Sequence, residues 1–142
     1  MKISKAICLT AMCFCLAPLA QIANAQQAAT VRVGGWAPTA NGKVAKNFDY
    51  TGSCPVNLKF DWGLLATAPT EATYRYKRSD CSAPSVTKSL KLAKANTSVD
   101  VSDTWSLGAS NAQFKDFKGW IKLTTFTPNK LEKKIDFTLH CK

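Results

Sequence analysis

One histidine, nine acidic residues and seven glycines are spread through 142 residues, and each scarcity closes off a class of chemistry. With His140 alone, a closed zinc site lacks its ligands, and the one nucleophile–base pair open to the chain is Cys81 with His140, which no motif supports. Gly34-Gly35 stands by itself ahead of Trp36, so no glycine-rich phosphate loop is present. The acids are scattered. Asp100 and Asp103 lie too close along one segment to face each other across a glycosidic bond. No repeat, low-complexity tract or linker divides the chain, and no residue set calls for a cofactor. Past residue 25 no apolar run approaches the roughly 20 residues of a membrane-spanning helix.

What is present begins with an export signal. Lys2 and Lys5 precede an apolar stretch over residues 6–20, and Ala23-Asn24-Ala25 is a small-x-small cleavage site. Residues 1–25 are therefore expected to be a cleaved signal peptide and residues 26–142 a single domain, periplasmic or secreted. Cleavage removes two of the 19 basic residues and none of the nine acids, so the mature chain stays strongly basic. Spread positive charge keeps a surface soluble, and it also attracts anionic polymers, glycans or acidic proteins. Without a basic arm or a recognition helix, nucleic acid is not an expected partner.

Of six cysteines, Cys54, Cys81 and Cys141 lie beyond the signal segment. Cys54 opens Cys54-Pro55-Val56-Asn57-Leu58-Lys59-Phe60-Asp61-Trp62, and Cys141 closes Ile135-Asp136-Phe137-Thr138-Leu139-His140-Cys141. Both runs alternate with period two, and in both the cysteine shares the apolar phase. With the remaining segments they make seven short strands separated by turn signals, which is the pattern of an all-β antiparallel sandwich. Five chain reversals carry the start of the Cys54 strand and the end of the Cys141 strand to the same end of that sandwich. A Cys54–Cys141 disulfide follows, leaving Cys81 as a free or capped thiol, a partner in an intermolecular bridge, or a thiol able to exchange with the clasp.

Along the chain, a first strand lies near residues 30–33, and an Asn41-Gly42 turn and a short strand near residues 48–50 follow. Residues 63–69 read as a connection, and a helical turn is expected around residues 112–117. Asp103 falls on the apolar phase of its strand, which requires either a hydrogen-bond partner or a bulge.

Cys54-Pro55, Tyr74-Arg75-Tyr76-Lys77-Arg78-Ser79-Asp80, Thr104-Trp105-Ser106-Leu107-Gly108, Gly119-Trp120-Ile121 and Phe137-Thr138-Leu139-His140-Cys141 form an ordered series. It resembles that of small exported bacterial immunoglobulin-like β-sandwich proteins, with their C-P, Y-R-[aromatic]-x-R-S-D, T-W-x-L-G, G-W and closing F-x-L-x-C. The resemblance covers roughly residues 50–142. It implies an immunoglobulin-like sandwich of about seven strands and an extracytoplasmic address. It carries no established activity, so it supplies no catalytic residue. The family often has glycine after R-S-D where this chain has Cys81. The resemblance thus supports the Cys54–Cys141 pair and gives Cys81 no role.

Trp62, Trp105 and Trp120 sit in strands and are expected in the core. Trp36 lies in a loop, either exposed as an anchor for a sugar ring or partner, or folded over a sheet edge. Lys59, Asp61, Arg75 and Lys77 point outward on segments read as neighbouring strands, as a solvated face or a shallow anion-binding strip. The expected function is a non-enzymatic binding module of the bacterial envelope or exterior. The alternative is a structural subunit of a surface assembly that associates through Cys81 or an edge strand; the chain is accordingly expected as a monomer or a Cys81-linked dimer. A hydrolase inhibitor, using residues 63–69 as a stiff exposed loop, is a variant of the first.

Overall fold

A computed structural model describes residues 27–83, 85–109 and 116–142. The signal segment lies outside them. So does most of the helical turn expected around residues 112–117, whose last two residues instead open a strand.

Two sheets pack face to face, and no helix occurs among the described residues. The first is built on β5 (Val56–Ala66). One side of β5 carries β8 (Ser98–Leu107); the other carries β1 (Val31–Gly35) and then β2 (Thr39–Ala40), which pairs with β3 (Lys43–Val44). The second sheet runs β4 (Asp49–Gly52), β10 (Leu131–Cys141), β9 (Asp116–Thr127), β6 (Thr70–Arg78), β7 (Lys88–Leu92). All pairings are antiparallel except β4 with β10. The Asn41-Gly42 turn closes the β2–β3 hairpin with both residues at positive φ, as a primed two-residue turn requires.

Period-two alternation fills the space between the sheets. Leu58, Phe60, Trp62 and Leu64 from β5 meet Trp105 and Leu107 from β8, Tyr74 and Tyr76 from β6, Ile121 and Leu123 from β9, and Phe137 and Leu139 from β10. The Phe60 and Phe137 rings lie 5.1 Å apart and the Trp62 and Tyr76 rings 5.0 Å apart. Leu64 and Ala66 continue the inward phase of β5, so residues 63–66 are strand. Of the exposed loop expected at residues 63–69, only the turn at residues 67–69 remains between the strands.

The disulfide joins Cys54 to Cys141 with Cα atoms 5.5 Å apart, at the end where the chain crosses from β4 to β5. Lys142 N donates to Gly52 O at 2.9 Å beside it. Gly108 takes a φ of 81°, and a Cβ there would sit 2.6 Å from Cys54 Cβ, so the end of β8 closes over the clasp only as glycine.

Asp103 stays in register opposite Phe60, without a bulge. Its partner is Arg78, which shares the inward phase of Tyr74 and Tyr76 on β6. Arg78 Nε and Nη2 donate to Asp103 Oδ2 at 3.0 and 2.7 Å, and Nη2 also donates to Thr104 O at 2.8 Å. This pair, 11% and 13% exposed, staples the two sheets together.

Candidate functional site

The residues expected to form one strip fall on opposite sides of the molecule. β5 and β6 follow each other in sequence but belong to different sheets. Lys59 and Asp61 therefore lie on the outer face of the first sheet, paired at 2.9 Å, while Arg75 and Lys77 lie on the outer face of the second. The single strip is corrected to two faces.

On the second sheet Arg75 and Lys77 gain new neighbours. Lys77 stands opposite Lys122 of β9, and Lys122 stands opposite Lys134 of β10. Three lysines thus form one row across three adjacent strands, about 5 Å from one strand to the next. Lys122 Nζ reaches Glu132 at 2.9 Å and Lys134 Nζ reaches Asp136 at 2.6 Å; Lys77 has no ion pair among the described residues. The hydrogen bond from Lys122 holds the Glu132 carboxyl below its usual range. Acids also stand toward the ends of this sheet, Glu71 opposite Lys91 and Asp116 opposite His140.

Aromatic rings lie among these cations. Trp120 is on the outward phase of β9 between buried Gly119 and Ile121, so it is not a core residue. The reason is a strand whose apolar residues occupy both phases: Ile121 and Leu123 take the interior. The Lys134 ammonium lies 5.7 Å from the Trp120 ring centre, and the Arg75 guanidinium 5.4 Å from that of Phe126.

Trp36 occupies a break between β1 and β2. Gly35 pairs with Trp62 and Thr39 with Lys59, so this side has one residue more than β5. Trp36 N still donates to Asp61 O at 3.2 Å, and the extra residue bulges the chain at Ala37-Pro38. Trp36 is 49% exposed, yet its ring reaches back over Gly63, where a Cβ would lie 2.6 Å from Trp36 Cη2. Both readings of Trp36 describe it in part: it covers the sheet and remains half open.

Cys81 is exposed, with a φ of 61° in a turn where its N donates to Arg78 O at 3.1 Å. It lines a notch with Arg75, Lys77, Ala83 and Ser85. His140 is not among them; its Nδ1 pairs with Asp116 Oδ1 on the neighbouring strand. The structure does not bring Cys81 and His140 together. Among the described residues, no group of three His, Cys, Asp or Glu residues is placed to hold a metal, and no helix is long and apolar enough to cross a membrane.

Lys122, Lys134 and outward Trp120 were not legible as site residues, because their phase depends on register. Arg78 did carry a signal: like Asp103, it is a charge on an apolar phase. Comparison with protein-family models finds none that matches this chain, and comparison with curated proteins finds no significant match.

Proposed function

We propose that this chain is an exported, non-enzymatic binding module of the bacterial envelope or exterior that holds an anionic polymer against the outer face of the second sheet. The observation that carries this reading is the in-register row Lys77, Lys122 and Lys134 with Trp120 beside it and the Arg75–Phe126 pair further along the same face. Like charges placed directly opposite each other across strands destabilise a sheet. Glu132 and Asp136 answer Lys122 and Lys134 in part; a polyanion lying across the strands competes with them and meets Lys77 directly, and the rings offer apolar contact to its backbone. Export draws on the leader-like residues 1–25 and on a disulfide, which persists in oxidising compartments. Binding rather than catalysis draws on the placement of Cys81 in a notch that His140 does not line, while His140 pairs with Asp116.

Backbone chemical-shift mapping during titration with a galacturonate oligomer tests the reading. Shifts are expected on the outward residues of β6, β9 and β10, weakening as salt is raised. Shifts confined to the first sheet or to the Cys81 turn would overturn it.

The structural-subunit reading draws on exposed Cys81 and on β8, which among the described residues pairs only with β5. It is distinguished by a covalent dimer or polymer that Cys81→Ser abolishes.

A further inference from the structure

The opposite face of the sandwich carries a second, independent feature. Trp36, Ala37, Thr39 and Val44 form one side of an open groove of about 550 Å³ over the first sheet, and Lys59, Asp61 and Asp100 form the rest. Two apolar side chains stand open to water there, Trp36 at 49% and Val44 at 67% exposure. Gly34 and Gly63 pair directly, both on the outward phase, so the indole lies against bare backbone there, next to Ser98 Oγ. Asp100 stands opposite Gly63, which puts a carboxylate beside the ring.

The lining selects among ligands. Leaving the charged groups of Lys59, Asp61 and Asp100 without hydrogen bonds under an apolar cover is costly, so a purely hydrophobic partner fits poorly. Two carboxylates face one ammonium, and Lys59 already pairs with Asp61, so this groove is locally acidic on a chain of net charge +10. An anion is therefore disfavoured here, in contrast to the lysine row.

We propose that this groove is a saccharide site for a neutral or amino-bearing sugar ring. The C–H groups on one face of a pyranose carry slight positive charge and suit the negative face of an indole. Ring hydroxyls donate to Asp61 and Asp100 and accept from Lys59, and Thr39 supplies a further hydroxyl. The assignment is separate from the polyanion reading, because the two sites lie on different sheets and prefer opposite charge.

The test uses the mature chain with its disulfide intact and four probes: tetramers of glucose, N-acetylglucosamine, glucosamine and galacturonate. Indole N–H resonances are followed by ¹⁵N NMR and affinity by calorimetry. The Trp36 resonance is expected to move with at least one of the first three probes. Trp36→Ala and Asp100→Asn should each weaken that binding about tenfold or more. Gly63→Ala keeps the indole but removes its resting place, and should weaken binding as well. Lys91→Ser on β7 of the other sheet should leave it unchanged. Failure of all three probes to move Trp36 at about 10 mM, a concentration that would reveal even millimolar binding, overturns the proposal. A response to galacturonate alone, or binding that survives Trp36→Ala, also overturns it.

Discussion

Arg78→Ala is expected to cost more than any other substitution of a charged residue in the sandwich. The side chain makes two hydrogen bonds to Asp103, a third to the Thr104 carbonyl and a longer one to Ser82 Oγ at 3.3 Å, and it lies 5.4 Å from the Trp105 ring centre. Removing it leaves the Asp103 carboxylate, 13% exposed, between the sheets without a cation. Breaking a buried pair from one side costs about 3–5 kcal/mol. The residual exposure of both partners places this pair at the lower end, about 3 kcal/mol, still a large share of the roughly 5–15 kcal/mol that holds a domain together. Removing both charges in Arg78→Met/Asp103→Leu eliminates the stranded carboxylate, and the double variant should recover to within about 1 kcal/mol of the parent. Urea unfolding followed by tryptophan fluorescence, with the disulfide intact, measures Arg78→Ala, the single variants Arg78→Met and Asp103→Leu, and the double variant. Arg75→Ala on the exposed face is the control, with an expected change within about 0.5 kcal/mol. If Arg78→Ala costs less than about 1 kcal/mol, or if the two single losses simply add in the double variant, the staple is not the structural element described.

The remaining predictions concern the clasp, the buried tyrosines and the exposed thiol. Replacing Cys54 and Cys141 together by serine reopens a connection of 87 residues, worth about 4–5 kcal/mol in the chain-entropy view, and should lower the urea midpoint without changing the strand signature in circular dichroism. Burial raises the hydroxyl pKa of both Tyr74 and Tyr76, with the Tyr74 charge adding to the effect on Tyr76. Each is an acid whose folded pKa lies above its unfolded one. Its contribution to stability is therefore complete below the ordinary value of 10.0 and is lost as pH climbs above it. Unfolding free energy measured across that range should fall with pH, and the Tyr76→Phe variant should show a shallower fall. A native chain starting at residue 26 should take up one maleimide, at Cys81, with none at the clasp; labelling at Cys54 or Cys141 would show the bridge to be open.

Much of this architecture is written in period-two alternation. The phase of β5 places one continuous apolar face inward, β8 does so but for Asp103 and β10 from Ile135 onward, and five reversals bring Cys54 to Cys141 without knowledge of the sheets. Several quoted motif residues also converge in space: Gly108 on the disulfide, and Arg78 on Thr104 and Trp105. Sheet membership was not legible. The short turn after β5 looks like that of a hairpin, yet the chain crosses to the other sheet there, and this moved Lys59 and Asp61 away from Arg75 and Lys77. Trp120 was misplaced because Trp120, Ile121, Leu123 and Phe126 put apolar groups on both phases, and only pairing with β6 and β10 decides which face turns inward. The Trp36 groove depends on a one-residue mismatch between two strands and β5, a feature of register that local sequence does not record.

The central claim is that the position of the lysines, rather than total charge, makes the second sheet a polyanion surface. Two variants with equal net charge test it most directly: Lys77→Ser/Lys122→Ser/Lys134→Ser, which empties the row, and Lys43→Ser/Lys46→Ser/Lys94→Ser, which removes three exposed lysines from outside it. Binding of each to a fluorescent galacturonate oligomer is measured by anisotropy at fixed moderate salt. At about 1 kcal/mol for each lysine against an anionic surface, the row variant should bind about a hundredfold more weakly than the parent, and the control variant within a few-fold of it. Equal losses in the two variants would mean that the chain attracts anions only through its overall charge, and the assigned surface would be wrong.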